Sequence, residues 1–151
     1  MSFIKNIISG VRLSSIKYQL LDNISSIDEI SIDHSEVTFL SSYGWEEFYG
    51  SPSSILFKET KKDSDAGKYY LQSVGCQYPD EDDDNLDLLN SIENKRIVLR
   101  LEYTSGKVKL MGTFESWVIM SEVYESNQND TGRTFQSTCE ALKRAPWLDE
   151  S

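Results

Sequence analysis

Histidine, cysteine and proline are scarce in this chain of 151 residues, at one, two and three copies. A single histidine, His34, leaves no second imidazole for a zinc site and no H-E-x-x-H pattern. Cys76 and Cys139 stand far apart with no C-x-x-C pair, which excludes a zinc knuckle and a redox motif of that kind. Both read as small buried or half-buried thiols in a reducing compartment. The glycines form neither G-x-G-x-x-G nor a P-loop, so nucleotide binding has no support. Long apolar runs are also missing. The opening MSFIKNIISGVRLSS lacks the apolar stretch of a signal peptide, and nothing approaches the roughly 20 residues of a membrane span. Synthesis and folding are therefore expected in the cytosol. Positive charge is short as well: 15 basic residues against 25 acidic ones leave a net −10. Such a field repels phosphate backbones and anionic headgroups, so neither a nucleic-acid nor a membrane partner is expected. A DNA mimic is disfavoured because the acids concentrate in one segment.

What remains is a composition suited to one domain. Hydrophobic residues at 38% and charged residues at 26% place the chain among globular proteins. Aromatics at 11% favour pleated surfaces and interfaces, hence a β-rich fold. Residues 1–14 read as an arm, with Phe3, Ile4, Ile7 and Ile8 too many for a solvated tail and too few for a core. Residues 15–148 read as a single mainly-β domain. Strand candidates are Ile16–Leu21, Val37–Ser41, the alternating stretch from Ile55, and KYYLQSVGCQY (68–78), which places Tyr70, Gln72, Val74 and Cys76 on one face. KKDSDAG (61–67) reads as a polar loop between them. YGWEEFYGSP (43–52) predicts a turn followed by an edge strand. DNLDLLNSIEN (84–94) predicts a helix capped by Asp84, with Leu86, Leu89 and Ile92 on one stripe.

The strongest pattern is RIVLRLEY-TSG-KVKLMG (96–112). It predicts a hairpin with one wet face, in which Ile97, Leu99, Leu101, Val108 and Leu110 point inward and Lys107 and Lys109 outward. SWVIMSEVYE (116–125) then continues the meander, SNQNDTG (126–132) turns it, and RTFQSTCEAL (133–142) adds a strand. In the tail KRAPWLDES only Pro146 and Trp147 are expected to be anchored. The fold class is thus an antiparallel β-sandwich or partly open barrel of about seven to eight strands, with one helix near 84–94.

No catalytic constellation emerges, and no cofactor or metal is implied. Aligning Asp80, Asp82 and Asp84 with an EF-hand loop puts Asn85 where glycine belongs and Ser91 where the bidentate glutamate belongs. The acidic run reads instead as a solvated loop favouring the N-terminus of the following helix. His34, flanked by Asp33 and Ser35, reads as an exposed loop residue. Tyr43, Trp45, Phe48 and Tyr49 offer either a satellite cluster over a sheet edge or interface anchors, as do Trp117 and Met120 on the later strand.

Several passages in order, YGWEEFYGSP (43–52), ILFKETKKDSDAGKYYLQSVGCQYP (55–79), RIVLRLEYTSGKVKLMGTFESWVIMSEVY (96–124) and TGRTFQSTCEALKRAPWL (131–148), carry a resemblance. The chain resembles small uncharacterised proteins encoded by tailed phages and prophages of Bacteroidetes hosts. Those share a G-W-x-E opening, a K-x-x-D-A-G-x-Y-Y passage, an L-x-G-T hairpin end and a G-R-x-x-F strand, which this chain carries one residue shorter as Gly132, Arg133, Thr134 and Phe135. Where other members have proline after the G-T turn, this chain has Glu115, Ser116 and Trp117. The resemblance implies a virion structural or morphogenesis role in the neck or tail: a homo-oligomeric ring bound to neighbouring virion proteins, assembled in the host cytoplasm. The alternative is a cytosolic non-virion protein, such as a tail-assembly chaperone or an acidic inhibitor of a host DNA-binding protein.

Overall fold

The computed structural model describes residues 13–48, 55–79, 90–92, 94–126 and 131–150, and their side chains except at 48, 76–79, 121–126 and 131–135. Alternation of Ile16 and Tyr18 with polar neighbours produces β1 (Leu13–Leu20), in which Ile16 and Tyr18 are buried on one face and Gln19 on the other. A single 3-10 turn, Leu21–Asn23, leads to β2 (Ile24–Ser31) and β3 (His34–Phe39). Between the strand candidates Ile16–Leu21 and Val37–Ser41 the chain therefore forms a further strand, β2, that the sequence pattern does not predict. The edge strand that the YGWEEFYGSP pattern predicts is β4 (Glu46–Phe48), and it pairs with β1.

β5 (Leu56–Ser64) and β6 (Gly67–Pro79) form a long hairpin. The polar stretch 61–67 is mostly strand, not loop: Lys61, Lys62 and Asp63 pair with Tyr70, Tyr69 and Lys68, and only Asp65 and Ala66 turn. Such polarity is tolerated because the side chains from Lys61 to Ser64 are exposed. β7 (Ile97–Tyr103) and β8 (Val108–Met111) form the hairpin around TSG, with Gly106 at φ +90°. β9 (Ile119–Ser126), β10 (Thr131–Ala141) and β11 (Trp147–Leu148) complete eleven strands among the described residues, more than the seven or eight expected. The surplus lies in short or polar strands that hydrophobic alternation does not reveal.

Two sheets result, with orders β2-β3-β11-β8-β7-β1-β4 and β5-β6-β10-β9. They pack as a β-sandwich. Between them lies the main core, which joins Ile16, Ile97, Leu99, Leu101 and Met111 of the first sheet to Val74 and Cys139 of the second. Ile92 also packs there. It belongs to the three described residues, 90–92, that are helical; residues 84–89 and 93 of the helix predicted over 84–94, and the acidic run before them, lie outside the described residues, and Asn94 sits in a turn at φ +64°.

The expectation of one wet face on the 96–112 hairpin is overturned. Directly opposed residues share a face in an antiparallel pair. Val108 and Leu110 stand opposite Glu102 and Arg100, so they lie on the even-numbered face of β7, away from Leu99 and Leu101. That face is buried too: Val98, Val108 and Leu110 form a second core with Leu21, Ile24 and Leu148. The seven-stranded sheet bends back over it without closing, so that Phe39 at the end of β3 meets Trp45 beside β4 edge-on at 5.2 Å. β7 is buried on both sides because it runs through the middle of this bent sheet.

The expected continuation of the meander after Gly112 also fails. β9 belongs to the other sheet, and residues 113–118 carry the chain across. Gly112 makes the crossing possible. It sits at φ +105°, and a Cβ there would lie 3.0 Å from Val98 Cγ1 and 3.1 Å from Val118 Cγ2. The Val118 amide then donates to the Ile97 carbonyl at 2.9 Å.

The tail is anchored far more widely than at Pro146 and Trp147. β11 slots between β3 and β8, parallel to the first and antiparallel to the second, and buries Leu148. His34 is likewise a strand residue, opposite Trp147, rather than a loop residue.

Candidate functional site

The residues proposed as interface anchors do not converge. Trp45 is half-buried against Phe39, held in place because the buried Gln19 side chain donates to the Gly44 carbonyl and accepts from the Leu20 amide and Asn23 Nδ2. Trp117 lies exposed on the crossing segment, with the Arg96 guanidinium 5.5 Å from its ring centre and Asp22 bonded to that guanidinium at 3.3 Å. Met120 turns inward against the main core. Phe3, Ile4, Ile7, Ile8 and Tyr49, and the side chain of Phe48, fall outside the description.

Three polar arrangements that sequence reading missed gather around the C-terminal segment. Arg100 is 9% exposed, although it interrupts an apolar strand. Its guanidinium donates to Glu150 at 3.0 and 2.7 Å and pairs with Glu102 at 3.0 Å. Hydrogen bonding to Glu150 raises its pKa, against the opposing effect of burial. The remaining nitrogen, Nη1, is buried with no hydrogen-bond partner among the described residues. A charge set between Leu99 and Leu101 was the available sequence signal, because a buried guanidinium needs carboxylates. The partner lies 50 residues away, and no local pattern names it.

His34 Nδ1 donates to Asp149 Oδ1 at 2.8 Å, which orients the ring as a carboxylate orients a catalytic base. No hydrogen bond reaches its other ring nitrogen among the described residues. Glu59 Oε2 accepts from Gln72 Nε2 at 3.1 Å and from the Ala145 amide at 2.8 Å, and so ties β5 and β6 to the segment entering β11. These contacts lock the last strand into the sandwich.

Beside that segment a cleft of about 310 Å³ opens among the β2–β3 hairpin, the 112–116 crossing and residues 141–146. Ile27 and Leu110 line it together with Ile32, Phe114 and Leu142, all three of them exposed, and a Glu29–Lys143 ion pair of 2.8 Å spans its wall. Among the described residues no group of three histidine, cysteine or acidic side chains gathers as a metal cluster would require, and no helix is long and apolar enough to cross a membrane.

The two cysteines occupy neighbouring strands but cannot join. Cys139 stands opposite Gln72, four positions along β6 from Cys76, a backbone separation of about 13–14 Å against the roughly 7 Å limit for a disulfide. Burial pushes the Cys139 thiol up to about 11, with Glu140 adding to the effect, and its Sγ–H donates to the Ser116 carbonyl at 3.1 Å.

Comparison with protein families, curated proteins and solved structures returns no match for this chain.

Proposed function

We propose that this protein is an assembling structural subunit, a virion component of a tailed bacteriophage that forms a ring at the head–tail junction or along the tail. One observation carries the assembly part of this reading. The four-stranded sheet ends in β5 and β9, and no described strand pairs with the outer flank of either. Unpaired backbone groups along two opposite edges are what a neighbouring subunit completes, and natural monomers ordinarily block them. Exposed apolar residues lie on both edge strands, Leu56 at 67% and Ile119 at 60%. The phage part is supported by the motif resemblance over residues 43–148, and the net charge of −10 suits a conduit that DNA must traverse without sticking.

The test is quantitative mass spectrometry of purified particles from a phage encoding this chain. The reading expects the protein in particles at a fixed multiple of six or twelve copies. Abundance in the infected lysate with absence from particles would overturn it in favour of a non-virion role.

A further inference from the structure

We propose that β5 of one copy pairs antiparallel with β9 of the next, with Lys58 opposite Glu125 and Lys61 opposite Glu122. The inference deepens the assembly reading above and rests on it, but not on the identity of the particle.

Strand direction comes first. Each neighbouring pair in the order β5-β6-β10-β9 is antiparallel, so with four strands the two edges run in opposite directions. Copies set side by side in the same orientation therefore bring β5 against β9 antiparallel, the more stable ladder, and repetition of that head-to-tail contact generates a ring or a filament.

Register is constrained by the faces. Lys58, Ser73, Thr138 and Ile119 form one row across the sheet, while Phe57, Val74, Ser137 and Met120 form the next. Val74 and Ser137 are buried and Phe57 and Met120 pack on the core, so this second row faces inward and the first faces outward. A sheet that continues into the next copy without flipping its faces must join even positions of β5 to odd positions of β9. Backbone polarity makes the same demand. Ser64 and Gly67 flank a two-residue turn and bond to each other, so odd positions of β5 direct their N–H and C=O groups outward, and the same alternation frees the even positions of β9.

Within that parity, one register sets all of Ile119–Ser126 against residues 64–57 of the neighbour. The same register sets Lys58 opposite Glu125 and Lys61 opposite Glu122, with no like charges opposed. A slip of two residues in one direction opposes Glu59 to Glu122, and in the other Asp63 to Glu122. β5 of LFKETKKDS carries three lysines and two acids, whereas β9 of IMSEVYES carries two glutamates and no base. Lys58, Lys61 and Lys62 are exposed and form no ion pair with a described residue. Pairing β5 with its own copy sets Lys58 against Lys62 and Glu59 against Lys61, so repulsion and attraction cancel. The neighbour that satisfies both edges is a second copy in head-to-tail contact.

The experiment is light scattering of the full chain at rising concentration, alongside two charge-reversed variants, Lys58→Glu with Lys61→Glu and Glu122→Lys with Glu125→Lys. The wild type is expected to form species larger than the monomer. Each variant alone is expected to stay monomeric with an unchanged circular dichroism spectrum, and an equimolar mixture of the two should regain the larger species, because each supplies the edge the other lacks. Assembly of either variant alone at wild-type strength, a mixture that stays monomeric, or a wild type monomeric throughout would each overturn the pairing. If charge reversal unfolds the chain, Lys58→Cys mixed with Glu125→Cys gives a second readout: a disulfide mapped between positions 58 and 125 supports the register, and its absence overturns it. Oligomers that survive both reversals overturn the edge assignment alone, whereas absence from particles with the exchange behaviour intact overturns only the virion reading.

Discussion

Lys109 stands directly opposite Leu101 across the β7–β8 hairpin, on the face of the main core. Its ammonium group lies 4.8 Å from the centre of the Trp147 ring and 5.3 Å from that of Phe57, so the side chain lies along apolar surface instead of reaching freely into water. Lys109→Ala should therefore cost about 0.5–2 kcal/mol through these cation–π contacts. Lys107→Ala, at an exposed position with one ring at 5.1 Å, should fall at the lower end of that range. Leu101→Ala, which opens a cavity in the core, should cost about 2–5 kcal/mol. Urea unfolding midpoints rank the three; a neutral Lys109→Ala would contradict the contact.

Two glycines on the same hairpin should respond differently to alanine. Gly106 and Gly112 both have positive φ, +90° and +105°, a conformation that costs a non-glycine residue about 1–3 kcal/mol. A Cβ at Gly106 meets nothing within 4 Å, whereas one at Gly112 collides with Val98 and Val118. Gly112→Ala should therefore be worse than Gly106→Ala by a further overpacking cost of about 1–3 kcal/mol. Melting temperatures of the two variants measure the gap.

The pairing of Arg100 with Glu150 predicts that the tail stabilises the whole sandwich. Glu150→Gln keeps the shape but replaces a charged double contact with a neutral one, and should cost about 1–3 kcal/mol. Arg100→Met, with a matching apolar stem, removes the buried charge along with its orphaned Nη1, so it should cost less than Arg100→Ala, which leaves a hole. Thermal unfolding monitored on Trp147, beside this segment, reads the order. Equal losses for methionine and alanine would show that the charge, not the volume, matters.

Cys139 should resist alkylation in the native chain at pH 8 and react only on unfolding, because it is buried and its thiol titrates near 11 rather than 9.0. A raised folded value means that the folded state holds the proton more tightly. The associated stability is fully present below pH 9.0 and is lost as pH rises toward about 11, as the unfolded thiol ionises first. Tyr18 and Tyr103, raised chiefly by burial, act in the same sense. Cys139→Ala should therefore weaken, without abolishing, the alkaline loss of stability between those limits. Chemical denaturation at stepped pH follows the slope.

Wherever one face of a strand is wet, period-two alternation names the strand, and β1, β6 and β10 were legible on that basis, as was the TSG turn with its glycine. β7 was legible as a strand but not in its faces. Isoleucine, valine and leucine occupy both parities of IVLRLEY, so alternation cannot say which partner covers which side. β2 and the distal half of β5 were missed because edge strands can be polar throughout.

The candidate site was less legible than the fold. Trp45, Trp117 and Met120 were noticed by residue type, yet only the structure shows one half-buried, one exposed and one facing the core. Arg100, His34 and Glu59 find their partners 50, 115 and 86 residues away, at separations no local window spans.

By itself the sequence determined what local physics decides: a β-rich chain, its main strand segments and the left-handed turn at Gly106. The tertiary structure alone decided that the chain changes sheets at Gly112, that β7 is buried twice, that the tail becomes a strand held by Arg100 and His34, and that two oppositely charged edges terminate one sheet. Those features depend on which distant segments meet, and that is settled by burying the most apolar surface while pairing nearly all of the buried polar groups, a property of the whole chain and of no stretch within it.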